Sequence, residues 1–173
     1  MKNMELAKSI FDASYITGEF LLRSGKISNE YFDKYRFESN PKLLDKITDE
    51  MLKLIPKDTE ILGALEMGGI PIATLLSLKS GLSVCFIRKK AKEYGTKNIA
   101  EGLDFKAKKM LLVEDVVTSG GQIILSANEL RASGAIIENA VCVIDRESGG
   151  VEALKNENIN LYSLFTMSEL KNS

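Results

Sequence analysis

The stretch MLLVEDVVTSGGQII, residues 110–124, decides the fold. An apolar run typical of a strand ends in two adjacent carboxylates, Glu114 and Asp115, and passes through a Thr-Ser-Gly-Gly turn into a helix. Packing alone does not call for two acids at this point. Ligands of parallel sheets gather beyond the carboxyl ends of the strands, so both acids are expected to lie exposed at a ligand-binding edge.

The same alternation of strand and helix runs through the chain. Apolar, β-branched runs predict strands at residues 61–65, 84–88, 110–114, 140–145 and 159–165. Helical spacing and capping residues predict helices at residues 4–14, 41–54, 71–79 and 121–133, with a turn-rich aromatic stretch at 21–41. Such alternation with nearly continuous apolar strands indicates an α/β fold, a parallel sheet covered on both faces.

Composition narrows the classes of function. The 173 residues suffice for one domain, 1–173, and 23 basic against 24 acidic residues give a net charge of −1, which favours neither nucleic acid nor a membrane as partner. No apolar run is long enough to span a bilayer and the N-terminus has no signal-peptide pattern, so we expect a cytoplasmic protein. The chain has no His, which excludes His-based triads. Cys85 and Cys142 lie in apolar runs and are expected to be buried.

The turn after the two acids has the chemistry of a phosphate site. It leads into a helix N-terminus, where free N–H groups and the helix dipole favour an anion. Gly120 and Gly121 allow close backbone approach, and Thr118 and Ser119 add hydroxyl donors. The two acids would repel a phosphate unless they bind something else, such as sugar hydroxyls or a Mg²⁺ ion carried by the ligand. The alternative is an ordinary strand–turn–helix connection with an acidic cap.

The string VEDVVTSGG resembles the phosphoribosyl-pyrophosphate signature of the type I phosphoribosyltransferases. The resemblance implies a mainly parallel twisted sheet flanked by helices, with a small N-terminal hood. It also implies that Glu114 and Asp115 contact the ribose 2- and 3-hydroxyls. The 5-phosphate would be held by the residues that follow, namely Val116, Val117, Thr118, Ser119, Gly120, Gly121 and Gln122.

A second charged segment, FIRKKAKEYGTKNIAEG at residues 86–102, begins where a predicted strand ends. A Lys-rich run is usually a solvated face, but this position and the glycines favour a lid. The segment resembles the mobile loop of orotate phosphoribosyltransferases, which implies that Arg88, Lys89 and Lys92 bind pyrophosphate and that part of the lid serves the neighbouring subunit of a homodimer. Tyr94 stands where His is usual; it can donate a hydrogen bond but adds no charge.

The resemblance covers nearly the whole chain. LLRSGKISNEYFD matches the hood, which about residues 1–40 and the C-terminal segment would build, GALEMGGIPIA matches the pyrophosphate loop, and VIDRESGG contains Arg146. By resemblance Arg146 and Thr118 bind orotate, and a guanidinium suits a carboxylated base. Gly68 stands where the pyrophosphate loop often carries Lys. By resemblance Arg23, Tyr31 and Phe32 flank the base and the ribosyl donor, and the alternative for the aromatic residues 31 and 32 is a place in the core.

The implied function is Mg²⁺-dependent transfer of the ribosyl 5-phosphate group from phosphoribosyl pyrophosphate to orotate, in pyrimidine (UMP) biosynthesis. Lys92 and Asp115 would be the catalytic residues, and Mg²⁺ would arrive with the donor rather than on protein ligands. One alternative is a phosphoribosyltransferase for another base, which would not need Arg146. The other is a non-catalytic ribosyl-phosphate sensor.

Overall fold

The computed structural model describes residues 2–21, 25–89 and 99–173. The N-terminal part comprises α1 (Met4–Ser14), β1 (Tyr15–Leu21), β2 (Ile27–Phe32), α2 (Tyr35–Glu38) and α3 (Pro41–Met51), which continues as a 3-10 turn over Leu52–Leu54. The central part comprises β3 (Ile61–Leu65), α4 (Gly69–Ser80), β4 (Ser83–Ile87), β5 (Ala100–Glu101), β6 (Lys109–Val117) and α5 (Gly121–Ala132). The C-terminal part comprises β7 (Ile136–Asp145), α6 (Gly150–Asn156), β8 (Asn160–Thr166) and α7 (Met167–Lys171).

The main sheet has the strand order β5-β4-β3-β6-β7-β8. The pairs from β4 to β8 are parallel, and only the short edge strand β5 is antiparallel to its neighbour. There Ile87 pairs with Ala100, and the Arg88 N–H donates to the Ile99 carbonyl at 2.8 Å. The predicted α/β class is confirmed.

Both faces of this sheet are covered, as nearly continuous apolar strands predict. One core cluster joins β6 residues such as Leu111 and Val113 to α1, α3 and α4. The other joins Met110 and Leu112 to α5, α6 and the edge of β4, where Cys85 is buried. Successive residues of β6 point alternately into the two clusters, so this strand lies in the middle of the molecule with core on both sides. The turn that follows it carries the candidate site.

The N-terminal region differs from its prediction. Residues 21–41 were expected to be turn-rich, yet β1 and β2 form an antiparallel ribbon that starts at Tyr15. Most residues on both strands are exposed or half-buried, so no alternation of apolar and polar residues marks them as strands. α1 lies against α7, and Lys2 pairs with Glu169 at 2.6 Å.

Two strand boundaries also differ from prediction. β6 runs on through both acids to Val117, because Val116 and Val117 pair with Ile144 and Asp145 of β7. β7 begins four residues early, at Ile136, since its polar start still pairs with β6. No helix of the described ranges is both long and apolar enough to cross a membrane.

Candidate active site

The predicted site residues that the structure describes lie at the ends of four neighbouring strands. In the order β4, β3, β6 and β7, these ends carry Arg88, the loop 66–69, the turn 114–122 and Arg146. From β3 the chain crosses to β4 on one side, and from β6 it crosses to β7 on the other. The carboxyl ends therefore meet at a topological switch point, where open α/β sheets bind their ligands.

The turn between β6 and α5 forms a cradle around a cavity of about 170 Å³. Gly120 precedes α5 in the left-handed conformation (φ 76°), and no side chain within the described residues caps this helix. Its first N–H groups are thus left for a ligand. Thr118 and Ser119 are exposed beside them. The cavity is lined by Glu114, Val116, Val117, Thr118, Ser119, Gly120, Gly121, Gln122 and Ile123.

Asp115 does not lie as expected. We predicted both acids to be exposed to the ligand, but Asp115 is fully buried and only Glu114 lines the cradle. The Lys34 ammonium lies 2.5 Å from Asp115 Oδ2, and Oδ1 accepts a hydrogen bond from the Val116 N–H. The prediction of exposure was wrong because Lys34, which sits between β2 and α2, covers the carboxylate.

Three acids meet at this point, Glu38, Glu114 and Asp115, and their pKa values differ. Burial and the adjacent Asp115 carboxylate raise the pKa of Glu38 to about 9, and the same two causes raise the pKa of Glu114 to about 8. Burial disfavours ionisation of Asp115, but contacts with Glu114, Glu38 and Lys34 lower its pKa below the ordinary value. Burial also disfavours the charged form of Lys34, yet Asp115 raises the Lys34 pKa.

This pattern explains how two acids can adjoin a phosphate cradle. At neutral pH Glu38 and Glu114 are mainly protonated, and the remaining charge on Asp115 is matched by Lys34. The cluster then carries almost no net charge, so it does not repel an anion. A protonated carboxyl can also donate a hydrogen bond, which suits the position of Glu38 beside Asp115.

Glu38→Gln is expected to remove part of the pH dependence of stability. The folded protein keeps Glu38 protonated up to about pH 9, whereas the unfolded chain releases that proton near pH 4.5. The unfolded state therefore binds fewer protons across this window, and the free energy of unfolding falls as pH rises. An amide donates the same hydrogen bond without titrating. Relative to the wild type, the Tm of the variant should therefore rise by several degrees between pH 5 and pH 8.5.

Thermal unfolding at the two pH values measures this gain. Glu129→Gln, at an exposed position on α5, is the control and should show no such gain. A Tm difference between Glu38→Gln and wild type that is the same at both pH values would contradict a buried, protonated Glu38.

The loop after β3 joins the end of β4. The Glu66 N–H donates to the Ile87 carbonyl at 2.9 Å, and the Glu66 carboxylate accepts the Lys89 N–H at 2.6 Å. The peptide between Glu66 and Met67 is cis. The Arg88 guanidinium lies 3.4 Å from Glu101. The structure thus brings the Lys89 backbone to the loop expected to bind pyrophosphate and places Arg88 next to it at the end of β4, whereas Lys92, Tyr94 and Arg23 lie outside the described residues.

Arg146 lines a separate cavity of about 300 Å³ between the sheet edge and the ribbon. Its N–H donates to the Val117 carbonyl at 2.9 Å, which ties it to the cradle turn. Tyr31 lines this cavity and is 45% exposed, so it is not part of the core. The other lining residues come from α1, the ribbon and α7: Phe11, Tyr15, Ser28, Glu30, Phe32, Met167 and Lys171.

Sequence reasoning missed Lys34 and Glu38. Both belong to the stretch predicted to be turns, and their contact with Asp115 joins positions about eighty residues apart. The sequence contained one signal of a buried Asp115, namely Gly68, at a position where relatives usually carry a lysine. A Cβ at Gly68 would overlap the Asp115 carboxylate, so no side chain fits there.

Comparisons with known proteins agree with this geometry. The family described as phosphoribosyl transferase domain matches residues 36–161. An orotate phosphoribosyltransferase of a Nocardioides species is 44% identical over 95% of this chain and 92% of its own. One from Methanocella arvoryzae is 44% identical over 88% of this chain and 87% of its own. The orotate phosphoribosyltransferase of Mycobacterium tuberculosis, solved with Fe(III) dicitrate, superposes with a TM-score of 0.87 at 26% identity, covering 96% of this chain and 97% of its own.

Proposed function

The chain belongs to the orotate phosphoribosyltransferase family of phosphoribosyl transferase domains, and from this premise we propose that the sheet edge is the active site of that reaction. The enzyme transfers the ribosyl 5-phosphate group from phosphoribosyl pyrophosphate to orotate, giving orotidine 5-monophosphate and pyrophosphate. One observation carries the assignment to this edge. The cradle at the start of α5 adjoins the Arg146 cavity on one side and the loop after β3 on the other, and that loop is hydrogen-bonded to the end of β4.

The donor's phosphate and sugar fit the cradle. The unpaired N–H groups of the first α5 turn bind the 5-phosphate, together with the Thr118 and Ser119 hydroxyls. Glu114 faces the same cavity and binds a ribose hydroxyl. Asp115 binds the second ribose hydroxyl. For this contact the ligand has to reach a carboxylate that Lys34 covers in the structure. Since the acids are largely neutralised, the sugar is held without repulsion of its phosphate.

The pyrophosphate and the base lie on either side of the ribose. Arg88 and Lys89 adjoin the Glu66 loop and stabilise the leaving pyrophosphate, with Lys92 as a further cation. The donor binds as its Mg²⁺ complex, so the metal is part of the substrate. Arg146 pairs with the orotate carboxylate, and Tyr31 and Phe32 supply apolar surface for the planar base.

The reaction is a displacement at the anomeric carbon. Orotate N1, ionised before it binds, forms a bond to C1 of the ribose while the bond from C1 to the pyrophosphate oxygen breaks. The electron pair of that bond leaves with the pyrophosphate, where the cations stabilise it. The protein mainly orients the two substrates and excludes water, so no His is needed as a general base.

An acceptor assay tests the function. Purified protein with phosphoribosyl pyrophosphate and Mg²⁺ is expected to release pyrophosphate with orotate, and more than about 100-fold more slowly with uracil or adenine, since neither meets Arg146 with a carboxylate. A metal chelator should stop the reaction and excess Mg²⁺ should restore it. Turnover with adenine in place of orotate would reassign the base, and donor binding without turnover for any base would favour a sensor.

We also propose that the whole chain, 1–173, works as one domain in a homodimer. Its hood comprises α1, the β1-β2 ribbon and α7, which surround the base cavity on the side away from the sheet. By resemblance, cations of the segment after β4 act in the neighbouring subunit's site.

A further inference from the structure

We infer that Lys34 is a donor-binding residue whose ammonium contacts the pyrophosphate group and supplies the positive charge that position 68 lacks. The inference rests on the proposed function and deepens it. Lys34 enters the site from the hood, between β2 and α2, and not from any of the four strand ends that carry the other site residues.

The geometry places Lys34 beside the pyrophosphate loop. Asp115 Oδ2 is the atom that a Cβ at Gly68 would overlap, and the same oxygen lies 2.5 Å from Lys34 Nζ. The ammonium and the Gly68 backbone therefore lie beside the same carboxylate oxygen. A side chain on position 68 is excluded by this oxygen, so a cation at this place has to come from another element.

Lys34 is the accessible partner of its ion pair with Asp115. Asp115 has no exposed surface, whereas 33% of the Lys34 side chain is exposed. Of the two side chains, Lys34 is therefore the one that a ligand can reach in this arrangement. An ammonium has three donors, so Lys34 can keep its bond to Asp115 and still donate to an anionic oxygen of the donor.

The charges around the ammonium also favour this role. The described groups that face it are Asp115, Glu38, Glu114 and the ring of Tyr35, whose centroid lies 5.2 Å away. Arg88 at the end of β4 likewise has an acidic partner, with its guanidinium 3.4 Å from Glu101. Lys34 differs from it in position, because its ammonium lies at the switch point between β3 and β6, beside Gly68.

Two ligands separate contact with pyrophosphate from mere support of Asp115. Ribose 5-phosphate has the phosphate and the sugar hydroxyls of the donor but no pyrophosphate. Lys34→Gln keeps a hydrogen-bond donor and loses the charge. Calorimetry is expected to show a Kd for the Mg²⁺ complex of phosphoribosyl pyrophosphate raised about tenfold, and a Kd for ribose 5-phosphate changed by less than about twofold. Lys34→Arg should stay within about threefold of wild type for both.

Lys79→Gln is the matched control. Lys79 is also largely covered and pairs with Asp45 and Asp49 at 2.7 and 2.6 Å, but these acids belong to α3, far from the strand ends. It should lose stability without changing either Kd. Equal losses for both ligands in Lys34→Gln would show that Lys34 only supports Asp115, and no loss for either would also overturn the inference.

A measurement on the wild type covers the case in which Lys34→Gln does not fold. The Mg²⁺ complex of the donor should slow acylation of Lys34 by an amine reagent severalfold, as read by peptide mass spectrometry, whereas ribose 5-phosphate should not. Equal acylation rates with the two ligands would overturn the inference. If the wild-type protein binds neither ligand, the proposed function itself fails.

Discussion

Arg146→Ala is expected to lower kcat/KM for orotate by about 100-fold to 1000-fold while the Kd of the Mg²⁺-bound donor stays within about twofold of wild type. The guanidinium is exposed in the base cavity, and its backbone is fixed by the hydrogen bond to Val117. Without it the orotate carboxylate enters the cavity with no partner from this strand end. The donor is held by the cradle and does not depend on this side chain.

Steady-state kinetics with orotate and calorimetry with the donor measure the two effects separately. Arg146→Lys should recover part of the activity, because a single ammonium replaces a planar fork. Arg36→Ala is a control, since Arg36 is half-exposed on α2 and pairs with Asp33 at 3.6 Å. Equal losses in orotate use and donor affinity for Arg146→Ala would place Arg146 outside the base site.

Gly68→Ala is expected to weaken donor binding by about 100-fold and to cost about 2–3 kcal/mol of stability. Gly68 has φ −70° and ψ −27°, which alanine adopts without strain, so any effect comes from the added methyl group. That methyl group would overlap the Asp115 carboxylate, which must then leave the positions where Lys34 and the Val116 N–H hold it. A buried charge without its partners is unfavourable.

Chemical denaturation and donor calorimetry test this expectation. Gly121→Ala gives the comparison for stability: its Cβ would lie 3.7 Å from Ser119 Oγ, an ordinary contact, so it should cost little stability. Wild-type stability together with wild-type donor affinity in Gly68→Ala would mean that Asp115 is not fixed by this contact.

The parts of the fold that follow from local pattern could be predicted. Strands such as β3 and helices such as α3, which Asn40 caps, are encoded by apolar runs and capping residues in the segment itself. The cradle was predictable for the same reason, because its residues are contiguous along residues 114–122. The β1-β2 ribbon was not, since neither face of it is buried enough to impose a pattern.

The contacts of Asp115 could not be predicted because they depend on the fold. Lys34 and Glu38 reach it from the hood, and no local rule relates residue 34 to residue 115. The raised pKa values of Glu38 and Glu114 follow from burial and from the Asp115 charge, whereas an isolated Glu-Asp pair on an exposed edge would be fully ionised. The absence of a lysine at position 68 was visible in the sequence, but its cause was not.

The sheet holds both ends of the segment between β4 and β5 in place. Because Arg88 and Ile99 are hydrogen-bonded and Ile87 pairs with Ala100, both ends of that segment are fixed by the sheet whatever lies between them. Because the entropy of loop closure grows only slowly with chain length, a longer or shorter segment between these fixed ends is expected to change turnover more than the free energy of unfolding.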